Sequence, residues 1–424
     1  MSLMSFKTLG LSKDLLESVG HAGYQQPTAI QAQSIPHILN GKDVIAEAKT
    51  GTGKTAAFIL PLLQLLQTDA VGKQKMIKLL ILTPTRELAM QVGSFIKIYG
   101  RHLTKPMRTL LLVGGLNIDV QLRGVIFGAD IVVATPGRLL DLVRRQQINF
   151  DFLKYFVIDE ADKMFDLGFA KEFASILKLL PHNRQNLLFS ATIDDKVREL
   201  AQSFSSKALH IKIDDVTPTV LQINQRVIEV NRTNRGPLLR NLIQAENWEH
   251  VLIFVASVRG AEILASKLNK ANIDTKTFHG ALTQANRTHV LGQFKNKRFK
   301  CLVATDLAAR GIDIDKLPYV INYDLPRSAD VYIHRIGRTA RAGEAGTAIT
   351  FIGHEDQLHF ALIEKRARIH LQRESVKGFE LTGEPIAEVK GKAPLKGLRM
   401  SKKDKARAAA NKLGNKKARL PPRN

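Results

Sequence analysis

Short apolar runs alternate along this chain with stretches of helical periodicity, and this alternation limits the folds that the chain can adopt. Ten runs are typical of buried strands: residues 79–83, 109–113, 131–134, 155–158, 186–189, 251–255, 275–278, 301–304, 320–323 and 348–351. The pattern is interrupted once, at residues 211–219, which include Asp214, Asp215 and Pro218. Strands that alternate with helices build parallel sheets through βαβ units. The sequence therefore predicts an α/β fold with two tandem parallel-sheet domains.

The length of the chain supports two domains. Its 424 residues exceed the roughly 250–300 residues at which a single hydrophobic core stops growing. We predict four segments: an N-terminal domain at 1–210, a linker at 211–219, a C-terminal domain at 220–372 and a basic, disordered tail at 373–424. A closed barrel is the alternative topology, and the phosphate-loop pattern described below argues against it.

The charge of the chain points to a polyanionic partner. The net charge is +24, and the segment from Lys390 to Asn424 alone carries thirteen Lys and Arg against Asp404, a net of +12. Such a segment has too few large apolar residues to offset chain entropy by burial. We expect it to contact nucleic acid, with a merely solubilising tail as the alternative. If the segment contacts nucleic acid, truncation after Val376 should weaken nucleic-acid binding and flatten the salt dependence of that binding.

The sequence lacks the features of membrane, secreted, disulfide-bonded and zinc-binding proteins. No apolar run reaches the ~18 residues that span a bilayer, and residues 1–10 lack the apolar core of a signal peptide. The single cysteine, Cys301, cannot form an internal disulfide, and no Cys/His spacing is typical of a zinc site. These features predict a cytoplasmic protein without membrane contact or structural metal.

Residues 48–55, Ala-Lys-Thr-Gly-Thr-Gly-Lys-Thr, lie between a predicted strand at 43–46 and an apolar helix at 56–66. This strand-to-helix context is the one that a phosphate loop requires. Glycines let backbone N–H groups converge on phosphate oxygens, while Lys54 suits the β- and γ-phosphates and the Thr55 hydroxyl suits Mg²⁺. The predicted nucleotide contacts here are Lys49, Thr50, Gly51, Thr52, Gly53, Lys54 and Thr55. A glycine-rich turn is the alternative.

Acidic residues follow the predicted strand at 155–158. Asp159, Glu160 and Asp162 stand at its end, where adjacent carboxylates can hold a metal ion and activate water. Taken alone, the same residues are equally typical of an acidic turn that caps the next helix.

Residues 159–162 spell Asp-Glu-Ala-Asp, and with the other motifs they resemble the DEAD-box RNA helicases. The resemblance extends from about Phe6 to Phe351, and it is most similar to the bacterial RhlE-like group. It implies two RecA-like domains, ATP and Mg²⁺ as cofactors, RNA as partner and ATP hydrolysis as the reaction.

The resemblance also assigns roles in ATP binding and catalysis. It implies that Phe6, Tyr24 and Gln31 recognise adenine, that Asp313 binds the ribose, and that Arg338 and Arg341 are arginine fingers. The implied catalytic set is Glu160, Asp159, Lys54, Arg338, Arg341 and His334, with Thr55 and Asp159 at Mg²⁺ and with Ser190, Thr192, Asp162 and His334 coupling the domains. Without the resemblance, Gln31 would be interpreted as a surface residue of a helix and His334 as a structural histidine.

Contacts to the RNA backbone are implied in both domains. The residues are Pro84, Thr85, Arg86, Gly115, Thr135, Gly137, Arg138, Gln284, Arg287 and Thr305. Hydroxyls, guanidinium groups and glycine-exposed N–H groups bind phosphate and ribose without distinguishing bases. Each short motif, taken alone, is also typical of a turn or a helix cap.

We therefore predict an ATP-dependent RNA helicase that unwinds duplexes or remodels RNA–protein complexes by closure of two domains. Proteins of ribosome assembly or RNA decay would be its partners. A DNA helicase or translocase with the same motor is one alternative, and a non-catalytic RNA chaperone or scaffold is another. The complete phosphate-loop, acidic and arginine set argues against the chaperone, because a binding module needs no γ-phosphate sensor.

Overall fold

The computed structural model describes residues 5–49, 51–68, 76–205, 207–213, 223–309, 314, 317–339 and 346–384. Two lobes are present in this part of the chain, each a seven-stranded parallel sheet with helices on both faces. The prediction of two tandem parallel-sheet domains is confirmed. None of the helices that the structure describes is both long and apolar enough to cross a membrane.

The N-terminal lobe contains β1–β7 in the sheet order β3-β4-β2-β5-β6-β1-β7. Its strands are β1 Val44–Glu47, β2 Leu79–Leu82, β3 Thr109–Leu112, β4 Ile131–Ala134, β5 Tyr155–Asp159, β6 Gln185–Ser190 and β7 Leu209–Lys212. Its helices are α1 Lys13–His21, α2 Ala29–Leu39, α3 Lys54–Thr68, α4 Arg86–Tyr99, α5 Ile118–Ile126, α6 Pro136–Arg144, α7 Ala161–Asp166, α8 Ala170–Leu177 and α9 Asp195–Phe204.

The C-terminal lobe contains β8–β14 in the order β10-β11-β9-β12-β13-β8-β14. Its strands are β8 Ile223–Glu229, β9 Val251–Val255, β10 Thr275–Phe278, β11 Cys301–Thr305, β12 Tyr319–Asn322, β13 Gly346–Ile352 and β14 Arg373–Glu374. Its helices are α10 Arg235–Ala245, α11 Val258–Lys270, α12 Gln284–Lys295, α13 Asp306–Ala309, α14 Ala329–Ile336 and α15 Gln357–Ala367.

The two sheets share one topology. Adding seven to each strand number of the first order gives the second order, so the lobes are structural repeats although no short-period repeat is visible in the sequence. Because all strands of a parallel sheet end at the same edge, neighbouring strands deliver their following loops to one place. In the N-terminal lobe, β5, β6 and β1 form one such group and β3, β4 and β2 another.

Both faces of each sheet are buried. In β2, Leu79 and Ile81 pack in one core cluster while Leu80 and Leu82 pack in the cluster on the other face. All four side chains are at most 1% exposed. A parallel strand covered on both sides needs this continuous apolar composition, which is why the apolar runs predicted the strands.

The strand prediction missed three strands: β8, which lies between β13 and β14 in the second sheet, and the short edge strands β7 and β14. β7 includes Ile211 and Lys212, the first two positions of the predicted linker, and it pairs with β1. Its Leu-His-Ile-Lys sequence alternates and has no continuous apolar run. Positions 214–219 of that linker lie outside the described residues.

The predicted start of the tail at 373 also differs from the structure. β14 pairs with β8 at the edge of the second sheet, and Val376 and Phe379 pack against the core of that lobe. The backbone N–H of Thr382 donates to Asn231 Oδ1 at 2.9 Å. The folded C-terminal lobe therefore continues to at least Thr382, and truncation after Val376 would remove part of it. Residues 385–424 lie outside the described part of the chain.

Candidate nucleotide and nucleic-acid sites

The phosphate loop connects β1 to α3. Gly51 and Gly53 have φ of +84° and +90°, a conformation that favours glycine. Lys54 begins α3, is 6% exposed and donates to the Ala48 carbonyl. Burial lowers its pKa, although the nearby carboxylates act in the opposite direction. Thr55 follows it in α3, and Thr50 lies outside the described residues.

Gln31 is attached to the phosphate loop. Its side chain is fully buried, its Oε1 accepts from the Thr28 backbone N–H at 3.0 Å, and its Nε2 donates to the Gly53 carbonyl at 3.2 Å. An added Cβ on Gly53 would lie 2.4 Å from Gln31 Nε2, so glycine is required by this close approach as well as by its φ. The interpretation of Gln31 as a surface residue is excluded.

The two aromatic candidates for adenine differ in burial. Phe6 is 4% exposed and belongs to the core of the lobe. Tyr24 is half-buried and meets Phe6 edge-to-face, with ring centroids 6.4 Å apart. Tyr24 also contacts Tyr99 at 6.3 Å. Of the two rings, Tyr24 has the larger surface available to a ligand.

Asp159 and Glu160 lie at the end of β5. Both are nearly inaccessible, at 2% and 5% exposure. Glu160 has φ +54°, a left-handed conformation that is costly for a non-glycine residue and that occurs at functional sites. Burial and the neighbouring charge of Glu160 raise the pKa of Asp159.

Lys163 is a residue of this centre that the sequence reasoning missed. Its Nζ lies 2.6 Å from Glu160 Oε1, and both side chains are at most 6% exposed. Burial opposes the charge on Glu160, but Lys163 and Lys54 outweigh it and keep the pKa of Glu160 low. Glu160 Oε2 is buried without a hydrogen-bond partner. The i, i+3 spacing to Glu160 on α7 was the available signal.

Ser190 connects the acidic residues to the phosphate loop. Its hydroxyl accepts from the Asp162 backbone N–H at 3.2 Å and donates to the Thr192 carbonyl at 2.7 Å. The backbone N–H of Ala48 donates to the Ser190 carbonyl at 3.0 Å. Since β6 lies between β5 and β1, the three motifs meet at adjacent strand ends.

The C-terminal lobe contributes His334 and Arg338 to the same centre. Arg338 is 7% exposed, and its charge lowers the pKa of Glu160 across the boundary between the lobes. Burial, with the charges of Lys163 and Arg338, lowers the pKa of His334 to about 3. His334 is therefore a neutral imidazole near pH 7. Arg341 and Asp313 lie outside the described residues.

Arg335, which follows His334 in the sequence, has a structural role. It is 2% exposed and binds Asp306 through two guanidinium nitrogens, at 2.6 and 2.8 Å. It also donates to Asn322 Oδ1 at 3.0 Å. Asp306 follows Thr305, the candidate RNA contact at the end of β11, so Arg335 connects that strand end to α14. Thr305 itself is 8% exposed.

The RNA candidates of the N-terminal lobe converge after β2, β3 and β4. An added Cβ on Gly115, which has φ +74°, would lie 2.1 Å from an Arg86 nitrogen, so Arg86 lies directly over Gly115. Arg138 donates to the Leu116 carbonyl at 3.3 Å. Gln121, which the sequence reasoning missed, is buried and bonds both the N–H and the carbonyl of Val113, at 3.0 and 3.1 Å.

The remaining candidates of this group occupy helix starts. Thr85 caps α4, and its hydroxyl accepts from the Leu88 N–H at 3.3 Å. Pro84 precedes it. Thr135 precedes the first residue of α6, and an added Cβ on Gly137 would meet no atom within 4 Å. Thr85 is therefore a helix cap, as the alternative interpretation predicted. A capping residue can also contact a ligand.

Gln284 and Arg287 contact the other lobe. Gln284 Nε2 donates to Glu87 Oε1 at 3.1 Å, and Arg287 Nε forms an ion pair with the same oxygen at 3.0 Å. Glu87 lies on α4 and is 6% exposed. These three side chains form a bridge between the lobes, which we call the Glu87 bridge. Sequence reasoning placed Gln284 and Arg287 at RNA and missed Glu87.

Comparisons with known proteins match both lobes to helicase families. Residues 28–200 match the DEAD/DEAH box helicase family and residues 234–343 match the helicase conserved C-terminal domain. The DEAD-box ATP-dependent RNA helicase CshA of Bacillus cereus is 39% identical over 371 residues, which cover 88% of this chain and 70% of the relative.

Solved structures resemble both lobes together. Saccharomyces cerevisiae Dbp5 bound to RNA and ADP–BeF₃ is 31% identical with a TM-score of 0.76, over 88% of this chain and 95% of that one. DEAD-box helicase Mss116 bound to single-stranded RNA and UDP–BeF is 32% identical with a TM-score of 0.78, over 88% and 79%. The two RecA-like lobes thus share their arrangement with RNA-bound relatives. The chain belongs to the DEAD-box family of ATP-dependent RNA helicases, enzymes that bind and hydrolyse ATP to unwind or remodel RNA.

Proposed function

We propose that this helicase hydrolyses ATP at the ends of β5, β6 and β1 and grips the RNA backbone at the ends of β3, β4 and β2. One observation carries the proposal: Lys54, Glu160 and Arg338, from two lobes, meet in one buried centre. The phosphate-loop N–H groups and Lys54 would bind the β- and γ-phosphates. Neither lobe alone contains the whole set.

Mg²⁺ fits the acidic part of this centre. Asp162 Oδ1 is buried without a hydrogen-bond partner. Burial and the charge of Glu160 raise the pKa of Asp159, so a cation beside these carboxylates would favour their charged forms. Hard carboxylate and hydroxyl oxygens are the ligands that Mg²⁺ prefers. We assign Asp159 and Thr55 to the ion, which would neutralise charge on the phosphates.

Glu160 is proposed as the group that orients the attacking water. Lys163 holds one carboxylate oxygen at 2.6 Å, so the other oxygen remains available to accept a hydrogen bond. Arg338, and by resemblance Arg341, would stabilise the charge that spreads over the γ-phosphate oxygens. Such a finger can contribute ~10³–10⁵ in rate.

His334 is proposed to couple the lobes as a neutral imidazole. Its low pKa means that it can donate one hydrogen bond and accept another without changing charge. Ser190, Thr192 and Asp162 would transmit nucleotide state within the N-terminal lobe through the bonds described above. Phe6, Tyr24, Gln31 and Asp313 complete the proposed ATP contacts.

RNA would lie across the β3-β4-β2 ends and the equivalent β10-β11-β9 ends of the second sheet. Arg86, Gly115 and Arg138 would contact one part of the backbone and Thr305 another. Because the contacts are to phosphate and ribose, we expect weak sequence preference and discrimination of RNA from DNA by the 2′-hydroxyl. ATP and RNA would favour the same closed arrangement and so raise each other's affinity.

We also propose an RNA-binding role for the basic segment and a cytoplasmic location, with ribosome assembly or RNA decay as the process. The truncation that tests the segment should follow Glu384, because the fold continues to Thr382. If about five phosphates are contacted, the log–log salt slope should flatten by about 3–4. Assignment to the RhlE-like group remains a prediction, since the relative described above is named CshA.

Phosphate release from ATP tests the proposal. Three tubes should be compared: no nucleic acid, single-stranded RNA, and DNA of the same sequence, with Glu160→Gln as the blank. Stimulation by RNA alone that disappears in the variant is the expected result. Equal stimulation by DNA would move the assignment to a DNA motor, and absence of hydrolysis in every tube would favour a clamp or chaperone.

A further inference from the structure

Three metal-ligating side chains meet at one place in the N-terminal lobe, and they belong to no motif discussed above. Glu17 and His21 lie on α1, and His102 lies on the segment that follows α4. Each offers one ligand atom, and these atoms all lie within 4.8 Å of one another. No other group of three such side chains within the described residues meets this criterion.

The positions follow from simple geometry. Residues four apart on a helix lie on the same face, so Glu17 and His21 project together toward His102. The rings of His21 and His102 are stacked, with centroids 4.8 Å apart and planes at 18°. His102 Nδ1 lies 3.8 Å from Glu17 Oε1.

The segment that carries His102 is held on both sides. The Thr104 hydroxyl donates to Asp14 Oδ2 on α1 at 3.0 Å, and Gln67 bonds both the N–H and the carbonyl of Lys105, at 3.1 and 2.7 Å. Leu103 is buried between these contacts. The backbone is therefore fixed while the three ligand side chains remain partly exposed, so they can adjust their torsions.

The ligand types identify the class of ion. Two imidazoles and one carboxylate suit zinc and similar transition metals, whereas Mg²⁺ and Ca²⁺ prefer oxygen ligands alone. Bonds of 2.0–2.1 Å in a tetrahedral site place ligand atoms about 3.4 Å apart. Because the ligand atoms lie within 4.8 Å of one another, each pair would have to approach by at most about 1.4 Å. Water would complete the coordination.

We propose that Glu17, His21 and His102 form a binding site for a divalent transition-metal ion of the Zn²⁺ type. The ion would connect α1 to the segment that follows α4. His21 is the last residue of α1, and the segment that contains Tyr24 begins directly after it. His21 and His102 are far apart along the chain, so they do not have the close spacing that is typical of zinc ligands in a sequence. The fold brings them together.

Titration of the full chain with Zn²⁺ tests the proposal. Calorimetry should show saturable binding whose affinity falls at least tenfold in His21→Asn, in His102→Asn and in the isosteric Glu17→Gln. Zinc at ten times its dissociation constant should raise the Tm of the wild type by about 2–4 °C, and not the Tm of the variants. Visible absorption of bound Co²⁺ should report imidazole coordination and be lost with the same substitutions.

His182→Asn is the matched control, because His182 is an exposed histidine of the same lobe outside the cluster. This variant should bind zinc as the wild type does. Equal zinc affinity in wild type, His21→Asn and His102→Asn would overturn the proposal, as would the absence of a Tm rise. Each variant should keep its metal-free Tm and its RNA-stimulated ATPase, so failure of the metal site is distinguishable from failure of the proposed catalytic function.

Discussion

Breaking the Glu87 bridge should weaken closure of the two lobes without affecting either lobe by itself. Glu87 is 6% exposed and Arg287 12%, and their side chains lie 3.0 Å apart. When the lobes separate, both groups return to water, so the contact stabilises only the closed arrangement. Glu87→Gln removes the charge and keeps the shape, and Arg287→Gln removes the other partner.

The free energy that the Glu87–Arg287 ion pair contributes to closure can be estimated from its burial. An exposed ion pair contributes about 0–1 kcal/mol, whereas loss of one partner from a fully buried ion pair costs about 3–5 kcal/mol. For this nearly buried pair we take about 2–3 kcal/mol. Since 1.4 kcal/mol is a factor of ten, the closure constant should fall about 30- to 150-fold.

Anisotropy of labelled single-stranded RNA, with and without a non-hydrolysable ATP analogue, measures this effect. RNA affinity should fall with the analogue present, because nucleotide and RNA then act through the same closed state. Without nucleotide the affinity should change little. A double-mutant cycle of the two substitutions should give a coupling energy above about 1.5 kcal/mol.

Glu364→Gln is the matched control. Glu364 forms an ion pair with Arg373 inside the C-terminal lobe at 2.7 Å, so its loss should not change the nucleotide dependence. The reasoning would be refuted if Arg287→Gln weakened RNA binding equally with and without nucleotide while Glu87→Gln had no effect. That result would make Arg287 a direct RNA contact, as the resemblance to DEAD-box helicases implies.

Three further substitutions test other parts of the structure. Lys163→Met should lower kcat for RNA-stimulated ATP hydrolysis about 10- to 100-fold with little change in KM, because the water-orienting carboxylate loses its buried partner; full activity would remove Lys163 from the mechanism. Arg335→Met should destabilise the C-terminal lobe by about 3–5 kcal/mol in denaturant unfolding, whereas the exposed Arg198→Met should change stability by less than about 0.5 kcal/mol. Gly115→Ala should displace the adjacent guanidinium and weaken RNA binding severalfold, whereas Gly20→Ala, with open space around it, should not; equal RNA affinities would contradict the packing argument.

Local patterns in the sequence predicted two tandem parallel-sheet domains, most of their strands and the motifs at the strand ends. The strands at 131–134, 251–255 and 275–278 have the predicted bounds, because a parallel strand covered on both faces must be apolar at every position. Phosphate-loop glycines and the acidic turn were recognisable for a similar reason. Their chemistry depends on residues that are adjacent in the chain.

Local patterns failed where a residue's role depends on a distant partner. β7 and β14 are short edge strands whose burial comes from the sheet that they join. Glu87 was missed because Gln284 and Arg287 lie about two hundred positions away. Gln31 was assigned to adenine, and only the folded chain shows its amide bound to the Gly53 carbonyl.

The sequence by itself determined which chemical groups the protein carries and which strands and helices present them. The tertiary structure decided which groups meet, because the order of strands in a sheet is not the order along the chain. Placing β6 between β5 and β1 brings Ser190 between the phosphate loop and the acidic turn. The second lobe then places the charge of Arg338 near enough to lower the pKa of Glu160, and this proximity depends on packing of the whole molecule.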